Sequence, residues 1–335
     1  MIKKRFSFLL SILLIISMFP LGALTAQAAK NHSYVALGDS ISTGYGLENK
    51  TAQGFAYLLA KENGYDLTNL AVDGNTTVGV LAQLDTKAVQ AAVANADLIT
   101  LTIGGNDLMA ILYQSVADAY NATQTSDANK ITVADVLPIM SAESDDRKLS
   151  LMLLTMELLT PTSEIYLMNS PAFQDALTAY LANLNRIMEI IHTSNADATV
   201  IVATQYNPYV EFDGEVFIFF DLSCLYQGME AGVTALNEAI TSNAANGGYS
   251  VADVKKVFDN ADVDPYVADP TTLELDFHPN AAGHALIAET IASALPPEAP
   301  DVPKTGDSAA LWIALLPISL MGTAFVAFQR KRAFN

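Results

Sequence analysis

The chain has 335 residues, of which 36 are Asp or Glu and 17 are Lys or Arg, giving a formal net charge of −19. Between the two ends, residues 29–305 hold 11 basic and 35 acidic residues, a net charge of −24. Such a surface repels nucleic acid and anionic membranes, so neither is an expected partner. The single cysteine, Cys224, excludes an intramolecular disulfide, and no Cys/His cluster has the spacing of a zinc site. The length suffices for one large domain with a sizeable core.

The first 28 residues have the pattern of a secretory signal peptide. Three basic residues at 3–5 precede an apolar run at 6–24, and Ala26-Gln27-Ala28 follows it. A basic region, an apolar core and an A-x-A site together predict export, with cleavage after Ala28. An uncleaved N-terminal membrane anchor is the alternative interpretation.

The C-terminal end combines a proline-rich spacer at 296–305 with an apolar span and a basic tail at 306–335. The pentapeptide at 302–306 resembles the LPxTG sorting signal of Gram-positive surface proteins, with Val302 in place of Leu. The resemblance implies that a sortase recognises Val302 to Gly306 and links Thr305 to cell-wall peptidoglycan. The alternative is a permanent C-terminal membrane anchor whose basic tail stays on the cytoplasmic side.

Apolar runs between the two ends alternate with segments of helical spacing. The runs predict strands at 34–37, 67–71, 97–103 and 199–204, with a weaker fifth near 249–254. Alternating strands and helices predict one α/β domain over residues 29–295, built on a parallel sheet that is covered on both faces. Sites in such sheets lie beyond the carboxyl ends of the strands.

The stretch 108–195 is too long for a simple crossover between two strands. Its many Leu, Ile and Met residues predict a helical insertion. One interpretation is an apolar cap beside the site, suited to an acyl chain, and the other is ordinary helix core with Met filling gaps.

Four short motifs carry the candidate chemistry, and three of them follow predicted strands. They are Gly38-Asp39-Ser40, Gly74, Gly104-Gly105-Asn106-Asp107 and Asp276-Phe277-His278-Pro279. Gly38 permits a tight turn that exposes Ser40 as a nucleophile at a helix entrance, where its own backbone N–H is free. The alternative for Asp39 or Ser40 is a helix N-cap.

The next two motifs offer hydrogen-bond donors for an oxyanion. A backbone N–H at Gly74 and the side-chain amide of Asn106 would join the backbone N–H of Ser40, and such donors supply a few kcal/mol each. An ordinary turn is the alternative for Gly74. His278, at the start of the last helix, is the expected general base for Ser40, and a carboxylate such as Asp276 would hold its ring.

These motifs together resemble the SGNH (GDSL) hydrolase superfamily, and their order and spacing cover most of residues 29–295. The resemblance implies a flavodoxin-like three-layer α/β/α sandwich with about five parallel strands, and esterase or lipase chemistry on an ester substrate. It implies Ser40 as nucleophile, Gly74 and Asn106 as oxyanion donors, and His278 as base. Asn207-Pro208, flanked by Tyr206 and Tyr209, resembles the lysophospholipase-like branch.

The acid of the triad departs from the family pattern. Many members have an Asp three residues before the His, where this chain has Leu275. We expect Asp276 to take that role, with Glu274 or a backbone carbonyl as alternatives. The G-x-S-x-G elbow of α/β-hydrolases is absent, which argues against that fold.

The remaining histidines and acidic residues are expected to be structural. His284 is expected to pack or to cap a helix, and His192 and His32 have no supporting context. The acidic run from Asp259 to Asp269 lacks EF-hand spacing and is expected to be a solvated loop rather than a calcium site.

The favoured function is therefore a cell-surface serine acylhydrolase that acts on lipid or other carboxylic esters and needs no metal or organic cofactor. Removal of O-acetyl groups from peptidoglycan or polysaccharide is a second enzymatic hypothesis, because the same machinery would serve. A surface-binding protein built on a disused hydrolase fold is the non-enzymatic alternative.

Overall fold

The computed structural model describes residues 32–142, 144–217 and 220–297. These residues form, in chain order, β1 (His32–Gly38), α1 (Ser40–Thr43), α2 (Lys50–Gln53), α3 (Phe55–Asn63), β2 (Tyr65–Asn69), α4 (Thr77–Leu84), α5 (Lys87–Ala94), β3 (Leu98–Thr102), α6 (Gly105–Ala122), α7 (Val133–Ser141), α8 (Lys148–Leu159), α9 (Pro171–Ser194), β4 (Thr199–Ala203), β5 (Val216–Phe217), β6 (Phe220–Asp221), α10 (Ser223–Gly247), β7 (Ser250–Ala252), α11 (Val254–Asp259) and α12 (Ala281–Ser293). Among these helices none is long and apolar enough to cross a membrane. The predicted signal peptide, sorting motif and apolar span lie outside the described residues.

Five parallel strands form the central sheet in the order β2-β1-β3-β4-β7. Counted along the sheet's own strands this is the 2-1-3-4-5 order of flavodoxin-like folds, in which β1 and β3 flank the point where the chain reverses direction. The predicted parallel sheet, including its weak fifth strand, is confirmed. A short antiparallel hairpin, β5 with β6, was not predicted from the sequence.

Alternate side chains of the buried strands point to opposite faces of the sheet, and each face has its own core. Val35 and Leu37 of β1 pack with α4, α5, α9 and α10. Tyr34 and Ala36 pack on the other face with α3, α11 and α12. All four side chains are at most 1% exposed, as expected for a strand buried on both faces. The predicted three-layer α/β/α sandwich is therefore confirmed.

A third apolar cluster is built from α6, α7, α8 and the first turns of α10. It includes Leu112, Val136, Leu151 and Leu225. The helix α9 packs instead on the sheet through residues such as Leu184. The helical stretch 108–195 thus contributes to two cores, because its last helix packs on the sheet and the helices before it form the third cluster.

The second strand begins and ends two residues earlier than the sequence indicates. The predicted run was 67–71, whereas β2 spans Tyr65–Asn69. The chain nevertheless stays alongside β1 beyond the strand, because the N–H of Leu70 donates to Ala36 O at 2.8 Å and that of Val72 to Gly38 O at 3.1 Å. The apolar residues of the predicted run are therefore held beside β1, partly outside the regular ladder.

Candidate active site

The chain leaves β1 through a turn that only glycine can make. Gly38 has a φ of +123°, and a Cβ there would lie 2.1 Å from the carbonyl oxygen of Thr102 on β3. The next residue, Asp39, donates its backbone N–H to that same oxygen at 3.1 Å. Ser40 follows as the first residue of α1 and is 5% exposed. This turn places Ser40 just beyond the carboxyl end of β1.

Asp39 is the N-cap of α1, and its buried carboxylate belongs to a small polar network. Its Oδ1 accepts hydrogen bonds from the N–H of Ile41 at 3.1 Å and from the hydroxyl of Thr102 at 2.9 Å. The hydroxyl of Ser42 lies 2.7 Å from the Thr102 hydroxyl. Burial of the carboxyl raises the pKa of Asp39 to about 7, and the two hydrogen bonds only partly oppose that rise. Asp39 therefore shapes the nucleophile turn from inside the protein.

Ser40, His278 and Asp276 form a continuous chain of hydrogen-bonded side chains. His278 Nε2 lies 2.8 Å from Ser40 Oγ, and its Nδ1 lies 2.6 Å from Asp276 Oδ1. Because a carboxylate only accepts, Nδ1 donates to Asp276, which leaves Nε2 to accept from the serine hydroxyl. His278 is 7% exposed, and its ring lies 4.6 Å from the rings of Tyr45 and Phe277, measured between centroids.

The two-residue spacing of Asp276 and His278 is accommodated by a local turn. Asp276 Oδ1 also accepts the backbone N–H of His278 at 3.0 Å, so one carboxylate oxygen holds both the ring and the backbone of the same residue. The hydrogen bond from the His278 ring is the main reason that the pKa of Asp276 lies below its ordinary value. Glu274 accepts the backbone N–H of Asp276 at 3.1 Å and makes no hydrogen bond to His278 among the described contacts. Asp276 is therefore the carboxylate in contact with the imidazole.

Two tyrosines hold the loop that carries Asp276 and His278. The hydroxyl of Tyr209 donates to the carbonyl oxygen of Leu275 at 2.8 Å, and that of Tyr206 donates to Phe277 O at 2.9 Å. Both come from the segment that follows β4, which the sequence resemblance had singled out around Asn207-Pro208. Sequence reasoning missed this positioning role. Its only signal was the pair of tyrosines that flank Asn-Pro at the carboxyl end of a strand.

Asn207 fixes the same segment to α10. Its side-chain amide donates to the carbonyl oxygen of Tyr226 at 3.0 Å and to Glu230 Oε2 at 3.2 Å, while its Oδ1 accepts the N–H of Tyr209 at 3.0 Å. The side chain is fully buried, so these bonds satisfy its polar atoms. Asn207 makes no contact with Ser40 or His278 among the described hydrogen bonds and acts by shaping the turn.

The loop with Gly74 and the start of α6 with Asn106 are joined to each other. The Asn106 amide donates to Asn75 O at 2.9 Å, and the Asn75 amide donates to Gly38 O at 3.3 Å. The carboxylate of Asp107 accepts the backbone N–H and the hydroxyl of Thr77. An amide NH₂ has two N–H groups, and no described hydrogen bond uses the second one of Asn106.

Gly74 lies in a left-handed turn of this loop. Its φ is +73°, which favours glycine, and no atom lies within 4 Å of the place where a Cβ would be. The side chain of Asp73 accepts a hydrogen bond from the Thr43 hydroxyl, which ties this loop to the helix that begins with Ser40. The loops of Ser40, Gly74 and Asn106 are thus connected through their neighbours.

His284 lies near this site but faces the protein interior. It is fully buried between α3 and α12, where its Nδ1 accepts the N–H of Phe55 at 3.3 Å and its ring stacks on the Phe55 ring. Its Nε2 has no hydrogen-bond partner within the described structure. Burial lowers the pKa of His284 to about 4. The residue therefore packs, as the sequence suggested.

The acidic residues from the end of α11 to Asp269 make local hydrogen bonds and an ion pair. Asp259 pairs with Lys255 at 2.7 Å, Asp264 accepts the N–H of Tyr266 at 2.9 Å, and Asp269 accepts from the backbone and hydroxyl of Thr271. Within the three described ranges there is no group of three or more His, Cys, Asp or Glu residues arranged to hold a metal ion.

The Ser-His-Asp hydrogen-bond chain lies at the carboxyl edge of a parallel α/β sheet, and the sequence lacks the G-x-S-x-G elbow of α/β-hydrolases. The GDSL-like Lipase/Acylhydrolase family matches residues 36–286, three quarters of the sequence and a range that contains all the candidate site residues. The chain belongs to this family, and it is accordingly an ester hydrolase.

The chain is also similar to individual proteins. It is 25% identical over 278 residues to the uncharacterized protein YpmR of Bacillus subtilis (strain 168), with 80% of this chain and 84% of YpmR covered. A phospholipase A1 from Streptomyces albidoflavus NA297 is 20% identical, with 79% of this chain and all of that chain covered at a TM-score of 0.49. An extracellular lipase from Streptomyces rimosus is 22% identical at the same coverage and TM-score.

Proposed function

We propose that this protein is a cell-surface serine acylhydrolase that cleaves carboxylic esters through an acyl-enzyme. The observation that carries the proposal is the hydrogen-bond chain from Ser40 through His278 to Asp276, with distances of 2.8 and 2.6 Å. Nucleophile, base and orienting acid are all within hydrogen-bond reach of one another, which is the geometric requirement for an activated serine.

In the first step, the Ser40 hydroxyl loses its proton to His278 Nε2 and its oxygen attacks the ester carbonyl carbon. The carboxylate of Asp276 stabilises the imidazolium that forms. The oxyanion accepts hydrogen bonds from the backbone N–H groups of Ser40 and Gly74 and from the Asn106 amide. The alcohol then leaves with the proton from Nε2.

In the second step, water is deprotonated by the same nitrogen of His278 and attacks the acyl carbon. The acid is released and Ser40 regains its proton. None of these steps calls for a metal or an organic cofactor.

The substrate that we propose is a lipid or lysophospholipid-like ester. The apolar helices α6 and α8 support this choice, because α6 begins at the residue before Asn106 and its side chains join an apolar cluster beyond the sheet. The resemblance of the Asn207-Pro208 segment to the lysophospholipase-like branch points the same way.

We also propose that the protein is exported and attached to a Gram-positive cell wall. The signal peptide pattern at 1–28 and the order of sorting pentapeptide, apolar span and basic tail support this location. Sortase would cleave after Thr305 and join that residue to peptidoglycan. The mass of the C-terminal peptide from wall-released protein tests the assignment, since it should end at Thr305 with a cross-bridge remnant and should be lost in Thr305→Ala.

The experiment that tests the activity is hydrolysis of p-nitrophenyl esters from acetate to palmitate by the purified protein and by Ser40→Ala. We expect activity in the first and background in the second. A fluorophosphonate should label Ser40 covalently, and it should still label Ser42→Ala, a variant with a neighbouring serine removed. Activity on acetate and acetylated glycans alone would favour the O-acetyl esterase, and inertness of the parent protein on every ester would favour a binding protein.

A further inference from the structure

Tyr45 follows the carboxyl end of the short helix α1 and is bound to Ser40 through the backbone. Gly44, which has a φ of +73°, ends this helix, and its N–H donates to Ile41 O at 3.3 Å. The N–H of Tyr45 donates to Ser40 O at 3.0 Å. These two hydrogen bonds form a Schellman motif, in which a left-handed glycine turns the chain back onto the last turn of a helix. The position of Tyr45 is therefore tied to that of the proposed nucleophile.

The Tyr45 ring contacts the imidazole of His278, which comes from the C-terminal part of the described chain. The two ring centroids are 4.6 Å apart, and the ring planes are tilted by 38°. Phe277 contacts the same imidazole with a centroid distance of 4.6 Å and a tilt of 31°. The described ring contacts include none between Tyr45 and Phe277, so the two rings cover different parts of the imidazole.

Burial in the protein core does not hold the Tyr45 ring, because the residue is 46% exposed. The ammonium group of Lys50, the first residue of α2, lies 5.8 Å from the centroid of this ring. That distance is within the roughly 6 Å reach of a cation–π interaction. Tyr45 thus contacts an exposed lysine and the buried His278, and it helps to keep the histidine covered.

The hydrogen bonds of His278 do not by themselves hold Nε2 in place through a catalytic cycle. Its Nδ1 is bonded to Asp276 at 2.6 Å, but both residues belong to one turn and can move together. Its Nε2 lies 2.8 Å from Ser40 Oγ, and this hydrogen bond is broken and re-formed as the proton moves in the proposed steps. A displacement of about 1 Å in a catalytic centre can cost about 10²-fold in rate. A contact that does not depend on the proton would prevent such a displacement.

We propose that Tyr45 is a positioning residue, whose ring holds the imidazole of His278 with Nε2 directed at Ser40. The inference deepens the acylhydrolase function proposed above and rests on it. Tyr45 is suited to this role because its backbone is fixed to Ser40 and its ring packs on His278. It therefore links the nucleophile to the base independently of the Ser40–His278 hydrogen bond. The ring is what acts, so phenylalanine should replace tyrosine.

The kinetic test compares the parent protein with Tyr45→Phe, Tyr45→Leu and the control Tyr57→Leu. Tyr57 is a half-buried tyrosine of α3, and no described ring contact joins it to His278. On a p-nitrophenyl ester, Tyr45→Leu should lower kcat by about tenfold or more and leave KM within about twofold. Tyr45→Phe and Tyr57→Leu should keep kcat within about twofold of the parent.

Two kinetic results would overturn the inference. An unchanged kcat with a raised KM in Tyr45→Leu would make Tyr45 a substrate contact. A loss in Tyr45→Phe equal to that in Tyr45→Leu would show that the hydroxyl, and not the ring, matters. The leucine variants keep the backbone hydrogen bonds, and melting temperatures check their folding. If Tyr45→Leu does not fold, Tyr45→Met decides by the same criteria.

A measurement of ring mobility separates this inference from the proposed chemistry. The chain has four histidines, so the ring signals of a ¹³C-histidine sample can be assigned with His278→Gln. From ¹³C relaxation, we expect the order parameter of the His278 Cδ2–H bond to be about 0.85 in the parent and in Tyr45→Phe, as in a rigid group, and below about 0.6 in Tyr45→Leu. Equal order parameters in all three proteins would overturn the positioning role. A ring that is released in Tyr45→Leu, in a protein whose parent hydrolyses no ester, would support the positioning role and overturn the acylhydrolase.

Discussion

Two buried ionisable groups near the candidate active site should act in opposite directions on the pH dependence of stability. His284 has its pKa lowered to about 4 by burial, and Asp39 has its pKa raised to about 7 by burial. The ordinary values of these groups are 6.5 and 3.8. Both therefore change the free energy of unfolding between about pH 4 and pH 7.

The sign for each group follows from which state binds the proton first. On acidification below pH 6.5, unfolded chains protonate His284 while folded chains keep it neutral, so the free energy of unfolding falls until about pH 4. For Asp39 the folded protein takes up the proton first, near pH 7, so the free energy of unfolding rises on acidification down to about pH 3.8.

His284 and Asp39 change the free energy of unfolding by similar amounts. One pH unit of difference between folded and unfolded pKa corresponds to about 1.4 kcal/mol, so His284 removes about 3 kcal/mol and Asp39 adds about 4 kcal/mol over this window. Their effects nearly cancel in the parent protein. Removing either group alone should reveal the pH dependence of the free energy of unfolding that the other group contributes.

The perturbations are His284→Asn and Asp39→Asn, because each asparagine oxygen can keep accepting the native backbone hydrogen bond. Urea unfolding at pH 4.5, 5.5, 6.5 and 7.5 measures the free energy of unfolding. Relative to the parent, His284→Asn should gain about 3 kcal/mol between pH 7.5 and 4.5, and Asp39→Asn should lose about 3 to 4 kcal/mol. The double variant should again resemble the parent. Curves for the single variants that run parallel to the parent curve would refute the reasoning.

Three further predictions concern the catalytic machinery and are read out as kcat on a p-nitrophenyl ester, with the melting temperature as a check on folding. Asp276→Asn should lower kcat by about 10²- to 10⁴-fold because the wrong tautomer of His278 is favoured, while Glu274→Gln should stay within about tenfold; equal effects would contradict the assignment of the acid. Asn106→Ala should lower kcat by about 10²- to 10³-fold with little change in KM, and a change in KM alone would argue against an oxyanion donor. Tyr209→Phe removes one hydrogen bond to the catalytic loop and should lower stability by about 1 kcal/mol and kcat several-fold; an unchanged kcat would show that the loop keeps its position without it.

The sheet could be predicted from the sequence because each of its buried strands is a short apolar run, as in Tyr34-Val35-Ala36-Leu37. The candidate site could be predicted because glycines mark the points where the chain leaves the strands, which are also the points where parallel strands place a site. Ser40 and His278 are 238 residues apart, yet both lie at chain positions that the sheet brings to one edge.

Other features depend on contacts that no local pattern encodes. The hairpin β5–β6 has only two residues in each strand, too few for a period of two to be visible. The roles of Tyr206 and Tyr209 arise from hydrogen bonds to a loop about 70 residues further along the chain. The sequence does not show that α9 covers the sheet while the helices before it form a separate cluster, because all of these helices are apolar on one face or more.

The single carboxylate oxygen that holds both the ring and the backbone of His278 has a consequence for how the active centre can fail. The proposed acid and base, Asp276 and His278, are two residues apart and are held in one turn, so they form a preassembled half of the proposed centre. The proposed nucleophile and oxyanion donors, Ser40, Gly74 and Asn106, form the other half, all within the first third of the chain. Only one described hydrogen bond between catalytic side chains, from Ser40 to His278, joins the two halves. In the proposed mechanism, any change that displaces the C-terminal segment from the sheet should separate the base from the nucleophile and lower activity.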